Sequence, residues 1–130
     1  MKSLTLLTVC AAITASAEPP ESFWRAMHQV EASGRVGEIW GDNGRSLGPL
    51  QIGRAYHTDS RVPGSWNQCK GLAYSRRVAT AYLKRWAPRA WAIGDCQTLA
   101  RIHNGGPRGH QKKATLGYWH KIKTEMRRKD

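Results

Sequence analysis

Acid is scarce in this chain of 130 residues. Nine Asp and Glu stand against 21 Lys and Arg, for a formal charge of +12. Cysteine is scarce as well. Three residues cannot build a dense disulfide framework of the kind that holds small secreted scaffolds together. The main apolar run, residues 4–13, is too short to span a bilayer, so no stable membrane anchor is predicted. No internal repeat and no long low-complexity linker interrupts the chain. The five His residues have no metal-ligand spacing with Cys, Asp or Glu. No Ser sits in a nucleophile elbow. No glycine loop followed by Lys could cradle a phosphate. These absences assign neither a metal nor a cofactor.

The N-terminus carries a different signal. Lys2 precedes the apolar run, and Ala15-Ser16-Ala17 closes it with a small-x-small cleavage pattern. Residues 1–17 are therefore predicted to be a secretory signal peptide, and 18–130 a single domain of 113 residues. Its removal takes away Lys2 and Cys10 and leaves a charge of +11. The protein is then expected outside the cell, or in the periplasm of a Gram-negative bacterium. Two cysteines remain, Cys69 and Cys96, and an even pair in an exported chain predicts one disulfide. The positive charge calls for an anionic partner, either nucleic acid or a wall polymer. Export favours the wall and speaks against nucleic acid.

The domain reads as mainly helical. Pro19-Pro20-Glu21-Ser22 is a helix entry with Ser22 as cap, followed by Phe23, Ala26, Met27 and Val30 at helical spacing. Ser33-Gly34 is a stop signal. Residues 35–66 are rich in glycine and turn formers and suit a small β-hairpin or loop lobe. A second helix is predicted from Leu72 to about Trp86, ended by Pro88. Asp95 can cap a third, which contains Leu99 and Ile102 and stops at Asn104-Gly105-Gly106-Pro107. Thr115 can cap a last helix bearing Leu116, Trp119, Ile122 and Met126. Trp24, Trp86 and Trp119 are candidates for the core. The expected class is α+β, a mostly helical domain with a small β-rich insertion.

Two of the few carboxylates stand out. With Phe23 at zero on a helical wheel, Glu31 falls about 80° away, at the edge of the apolar stripe. It also lies near the helix C-terminus, where the macrodipole disfavours negative charge. Half-burial and dipole both act to raise its pKa, as a general acid requires. A solvated edge glutamate is the alternative. Asp42 lies eleven residues on, within Gly41-Asp42-Asn43-Gly44, which is strong turn chemistry in its own right. As a pair, a sheltered helix-edge carboxyl and a polar turn carboxylate are what glycoside cleavage needs, one protonated and one ionised.

Several blocks carry a resemblance. "VEASG", Asp42, "SLGPLQI", "ARIHNGGPRG" and "TLGYW" resemble the invertebrate-type lysozymes, or destabilase family, over most of residues 30–119. The resemblance implies a lysozyme-like fold. It also implies hydrolysis of the β-1,4 bond between N-acetylmuramic acid and N-acetylglucosamine in peptidoglycan. By motif position it implies Glu31 as general acid and Asp42 as second carboxylate. It implies a substrate-binding lining of Ser46, Gly48 and Gln51, then Gly53, Arg54, Tyr56, His57 and Asp59, and across the cleft Tyr82, Trp86, His103, Asn104 and Gly105. The chain departs from the family in having few cysteines and in replacing a usual Lys-x-Pro-Tyr-Trp pattern after Gln51-Ile52. The same blocks weakly resemble lytic transglycosylases, which work with the glutamate alone. A basic wall-binding or antimicrobial protein without catalysis is the third expectation, and a monomer is expected in each case.

Overall fold

The computed structural model describes residues 18–128 together with Ser3 and Thr5. The predicted signal peptide thus lies almost wholly outside the described residues. Helix α1 (Glu21–Ala32) begins two residues earlier than a Ser22 cap would place it. Pro20 occupies the cap position, and its carbonyl accepts from the Phe23 N–H at 2.9 Å. No side chain caps this end; the fixed φ of Pro20 sets the entry instead. The stop falls where glycine and serine predict it. Ser33 turns left-handed (φ 53°), and its N–H returns to the Gln29 carbonyl.

The β lobe is minimal. Strands β1 (Trp40–Gly41), β2 (Ser46–Leu47) and β3 (Ile52–Gly53) form an antiparallel sheet in that order, with Trp40 opposite Leu47 and Leu47 opposite Ile52. Helix α2 (Arg54–Ser60) follows directly. It was hidden in a stretch that reads as turns because its seven residues carry no apolar stripe. Helix α3 (Leu72–Trp86) stops before Pro88, but Pro88 also opens a short helix α4 (Pro88–Ile93) at its first position, where the missing N–H costs nothing. Helix α5 (Cys96–Gly105) is capped by Asp95, whose carboxylate accepts from the Thr98 N–H at 3.2 Å. Helix α6 (Leu116–Arg127) completes the chain. Thr115 does not cap it through its side chain; that hydroxyl instead donates to the Gly109 carbonyl at 2.7 Å and accepts from Arg101.

One core joins the lobes. Phe23 and Met27 of α1, Leu47, Leu50 and Ile52 of the β lobe, Val78 and Leu83 of α3, Leu99 and Ile102 of α5 and Ile122 of α6 are all buried in it. Burying each such side chain favours folding by about 1.5–3 kcal/mol. Trp24 belongs to this core and Trp119 packs at its margin. Trp86 does not; it is 36% exposed, and so is much of Leu72.

The expected Cys69–Cys96 disulfide is a correction: both thiols are free. Cys69 is fully buried on a 3-10 turn (Trp66–Lys70) lodged against β2 and α3. Cys96 opens α5 on the side held by α4, where the Asp95 N–H donates to the Ala90 carbonyl. The two cysteines thus belong to different elements, each packed against the core without a bond between them. Burial pushes the Cys69 thiol up to about 11, which keeps it protonated and inert.

Gly48 shows how closely the β lobe is fitted to that turn. Its φ is +84°, and a Cβ there would collide with the Cys69 carbonyl oxygen, a backbone atom that cannot swing away. Gly48→Ala should therefore cost about 2–4 kcal/mol, from strain and overpacking together. Urea denaturation measures it; a loss under about 1 kcal/mol would mean that the turn yields freely.

Candidate functional site

Glu31 sits on the last turn of α1, where the apolar stripe gives way to solvent. Its side chain is 17% exposed. His103, in the last turn of α5, is buried against it. The His103 Nε2 lies 3.1 Å from Glu31 Oε2 and 3.1 Å from the Leu50 carbonyl oxygen. Its Nδ1 lies 2.8 Å from the Tyr56 hydroxyl. A carbonyl can only accept, so Nε2 carries a proton. In the neutral imidazole, Nε2–H then donates toward Leu50 and Glu31, and the Tyr56 hydroxyl donates to Nδ1. Three elements far apart in sequence are joined by one ring.

Behind the ring the aromatics are layered. Tyr56 stacks on Tyr82 with centroids 3.6 Å apart and planes 12° from parallel. Tyr118 lies on the other side of His103, with centroids 6.2 Å apart. Its hydroxyl is buried and makes no hydrogen bond of regular geometry, and the charge it feels most is that of Glu31. Burial, first, and then neighbouring charge hold the Tyr56 and Tyr118 phenols well above their usual range. Burial likewise pushes Tyr82 up to about 12.

Asp42 reaches the site by an unusual backbone. Asp42, Asn43 and Gly44 have φ of 49°, 55° and 80°, one left-handed turn between β1 and β2. Asp and Asn tolerate this conformation better than other side chains, yet each still costs about 1–2 kcal/mol. Gln51 is left-handed too (φ 53°), and its side-chain amide donates to the carbonyls of Ile39 and Gly48, both at 3.0 Å. Strain of this kind persists only where surrounding bonds enforce it, and it gathers at functional sites.

Glu31, Asp42, Ser46, Gln51, His103 and Asn104 together line a polar recess of about 300 Å³. Gly53, Arg54 and Tyr56 line an adjoining recess of about 480 Å³, which shares Asp42 and Ser46 with the first. The remaining positions named from sequence lie elsewhere. Gly48 is under Cys69. His57 is hydrogen bonded to Tyr74 at 2.8 Å. The Asp59 carbonyl accepts from Arg85. Tyr82 is buried behind Tyr56. Trp86 borders a separate recess with Pro88, Ile93 and His110. Gly105 abuts Thr115, and its carbonyl accepts from Lys112.

Another recess of about 400 Å³, bounded by Glu21, Trp24, Leu72 and Arg76, contains neither Glu31 nor Asp42. Its one carboxylate, Glu21, is already paired with Arg76. Among the described residues, no three His, Cys, Asp or Glu side chains converge to hold a metal. Arg45 and Trp66 also border the larger recess, and Tyr118, from the block TLGYW, packs beside His103. Nothing in the sequence singles out Arg45 or Trp66, since an isolated arginine or aromatic carries no spacing signal.

A mainly helical domain with a small three-stranded antiparallel lobe places the chain in the lysozyme fold class. The solved structure of inhibitor-bound lysozyme from Meretrix lusoria superposes with a TM-score of 0.72 at 32% identity, covering 85% of this chain and 92% of that one. Residues 25–125 match the destabilase family, and the chain belongs to it. Lysozyme 1 of Crassostrea virginica is 40% identical over 104 residues, covering 78% of this chain. A lysozyme of Meretrix lusoria is 42% identical over 79 residues, covering 59%. The matched segments span 56% and 65% of those two relatives, so each relative extends well beyond what this chain matches.

The buried phenols generate a pH prediction. An unfolded tyrosine ionises near 10, whereas burial pushes folded Tyr82 up to about 12 and holds Tyr56 and Tyr118 well above the usual range as well. The stability they contribute is complete below pH 10 and lost as pH rises through 12. The urea midpoint should therefore fall steeply between pH 10 and 12. Three of the four tyrosines should gain phenolate absorbance only as the protein unfolds. Free titration of all four near pH 10 in the folded protein would contradict this packing.

Proposed function

We propose that this protein is a peptidoglycan-cleaving glycosidase, a lysozyme acting on the β-1,4 bond between N-acetylmuramic acid and N-acetylglucosamine. The observation that carries the reading is the shared recess of Glu31 and Asp42, with one carboxyl sheltered and the other on an open turn. Family membership and the lysozyme names of the relatives support it.

In this reading Glu31 is the general acid. His103 holds Oε2 through a hydrogen bond, so the transferable proton sits on Oε1 and is delivered to the leaving glycosidic oxygen. Asp42 faces the positive charge that develops at the sugar carbon, as nucleophile or as electrostatic partner. Ser46 and Asn104 present a hydroxyl and an amide to the sugars, while Gln51, with its amide N–H groups bonded to Ile39 and Gly48, braces the wall. The charge of +11 left after removal of residues 1–17 concentrates the protein on anionic walls, and that attraction is screened by salt. No helix among the described residues is long and apolar enough to cross a membrane. Export by the signal peptide 1–17 belongs to the same proposal, as does action as a monomer.

Glu31→Gln keeps the shape and removes the donated proton. It should lower lysis of purified peptidoglycan at least about a hundredfold while leaving the protein folded and wall-bound. Normal lysis by that variant would overturn the assignment. The exposure of Asp42 gives weight to a second reading, a transglycosylase that uses Glu31 alone. Mass analysis separates the two: reducing ends, with a large loss in Asp42→Asn, mark the hydrolase. Anhydro ends, with little loss in Asp42→Asn, mark the transglycosylase.

A further inference from the structure

The recess beside the carboxylates has a charge pattern that glycosidic cleavage does not require. It holds about 480 Å³ and shares Asp42 and Ser46 with the Glu31 recess, so a chain lying across one borders the other. Two arginines line it. Arg45 follows the left-handed turn, and Arg54 follows β3. Both are exposed, and neither forms an ion pair with any described acidic residue. Arg76, by contrast, is committed to Glu21. Against the single carboxylate of Asp42, the two guanidinium groups leave the recess net positive.

The Arg54 guanidinium is also oriented. It lies over the Trp66 ring, 4.4 Å from the centroid. Trp66 is itself fixed, with its indole N–H donating to the Ile52 carbonyl at 2.8 Å and its ring edge-on to Trp40 at 5.7 Å. Stacking uses the face of the guanidinium and leaves its N–H edge available. A planar anion accepts two parallel hydrogen bonds from such an edge.

We infer that Arg45 and Arg54 form a subsite for an anionic substituent of the glycan whose backbone lies across Glu31 and Asp42. The inference rests on the glycosidase reading above and adds a determinant of specificity to it. The chemistry is a carboxylate or phosphate borne on a branch of the sugar chain. Peptidoglycan offers carboxylates on its peptide-bearing muramic residues, and wall polymers attached to it offer phosphodiesters. A chain of N-acetylglucosamine alone offers neither. Arg45 and Arg54 are binding residues and take no part in proton transfer.

The test is a ratio of affinities. In a Glu31→Gln protein, which binds without turnover, dissociation constants are measured for a peptide-bearing peptidoglycan tetrasaccharide and for the neutral tetramer of N-acetylglucosamine. Replacing both Arg45 and Arg54 by Gln should reduce the preference for the anionic ligand about tenfold or more, as expected for lost charge-assisted hydrogen bonds. Replacing both by Lys should retain part of it, because charge remains while the fork is lost. An unchanged ratio in the folded Gln variant overturns the inference. Should that variant not fold, the single variants Arg45→Gln and Arg54→Gln are measured instead, and an unchanged ratio in both overturns it. Pull-down on walls before and after acid extraction of phosphate polymers identifies the source. A defect that persists on extracted walls points to the carboxylate, and one that disappears points to the phosphate. The readout is binding, so absence of wall cleavage by the wild-type protein would sink the glycosidase reading while leaving this ratio measurable.

Discussion

The His103 ring is the tie between the lobes. Its Nε2 contacts Glu31 on α1 and the Leu50 carbonyl ahead of β3, while its Nδ1 contacts Tyr56 on α2. Each hydrogen bond alone contributes about 0.5–1.5 kcal/mol, and more where a charge is involved. Their larger effect is geometric. In a buried setting an unpaired nitrogen or phenol would be costly, so the three partners must arrive together. The packing of α1, α5 and the β lobe is thereby set relative to the acid. The stacked pair Tyr56 and Tyr82 then fills the space behind the ring.

The opposite wall of the recess is under strain rather than simply packed. Asp42, Asn43 and Gln51 are all left-handed, and such residues persist only when other contacts enforce them. The Gln51 amide supplies two of those contacts, and the fit of Gly48 to the Cys69 carbonyl supplies a third. A fold without a disulfide among its described residues can hold this wall because Cys69 anchors its turn in the common core.

Much of the helical frame was legible. The stop at Ser33-Gly34, the cap at Asp95 and the position of Glu31 at the edge of an apolar stripe all follow from local chemistry that does not depend on the rest of the chain. What depended on distant contacts was not legible. Tyr56 and His103 are 47 residues apart, and nothing near either one announces the other. Pairing Cys69 with Cys96 rested on counting, and packing overruled the count. Helix α2 escaped because seven residues carry too little periodicity to compete with the turn signals around them. The left-handed turn at Asp42 was readable as a turn, but that it borders the same recess as Glu31 required the fold. The family blocks surround these residues without saying which of them touch.

The hydrogen bonds to Tyr56, Leu50 and Glu31 hold the neutral His103 ring in one tautomer. Nitrogen-15 NMR of the histidine rings at neutral pH addresses it directly. The expected signature is a proton on Nε2 of His103 and an Nδ1 that accepts from Tyr56, with that accepting character lost in Tyr56→Phe. A proton found on Nδ1 with Nε2 bare would contradict it, because the Leu50 carbonyl and the Glu31 carboxylate would then face a nitrogen with nothing to donate.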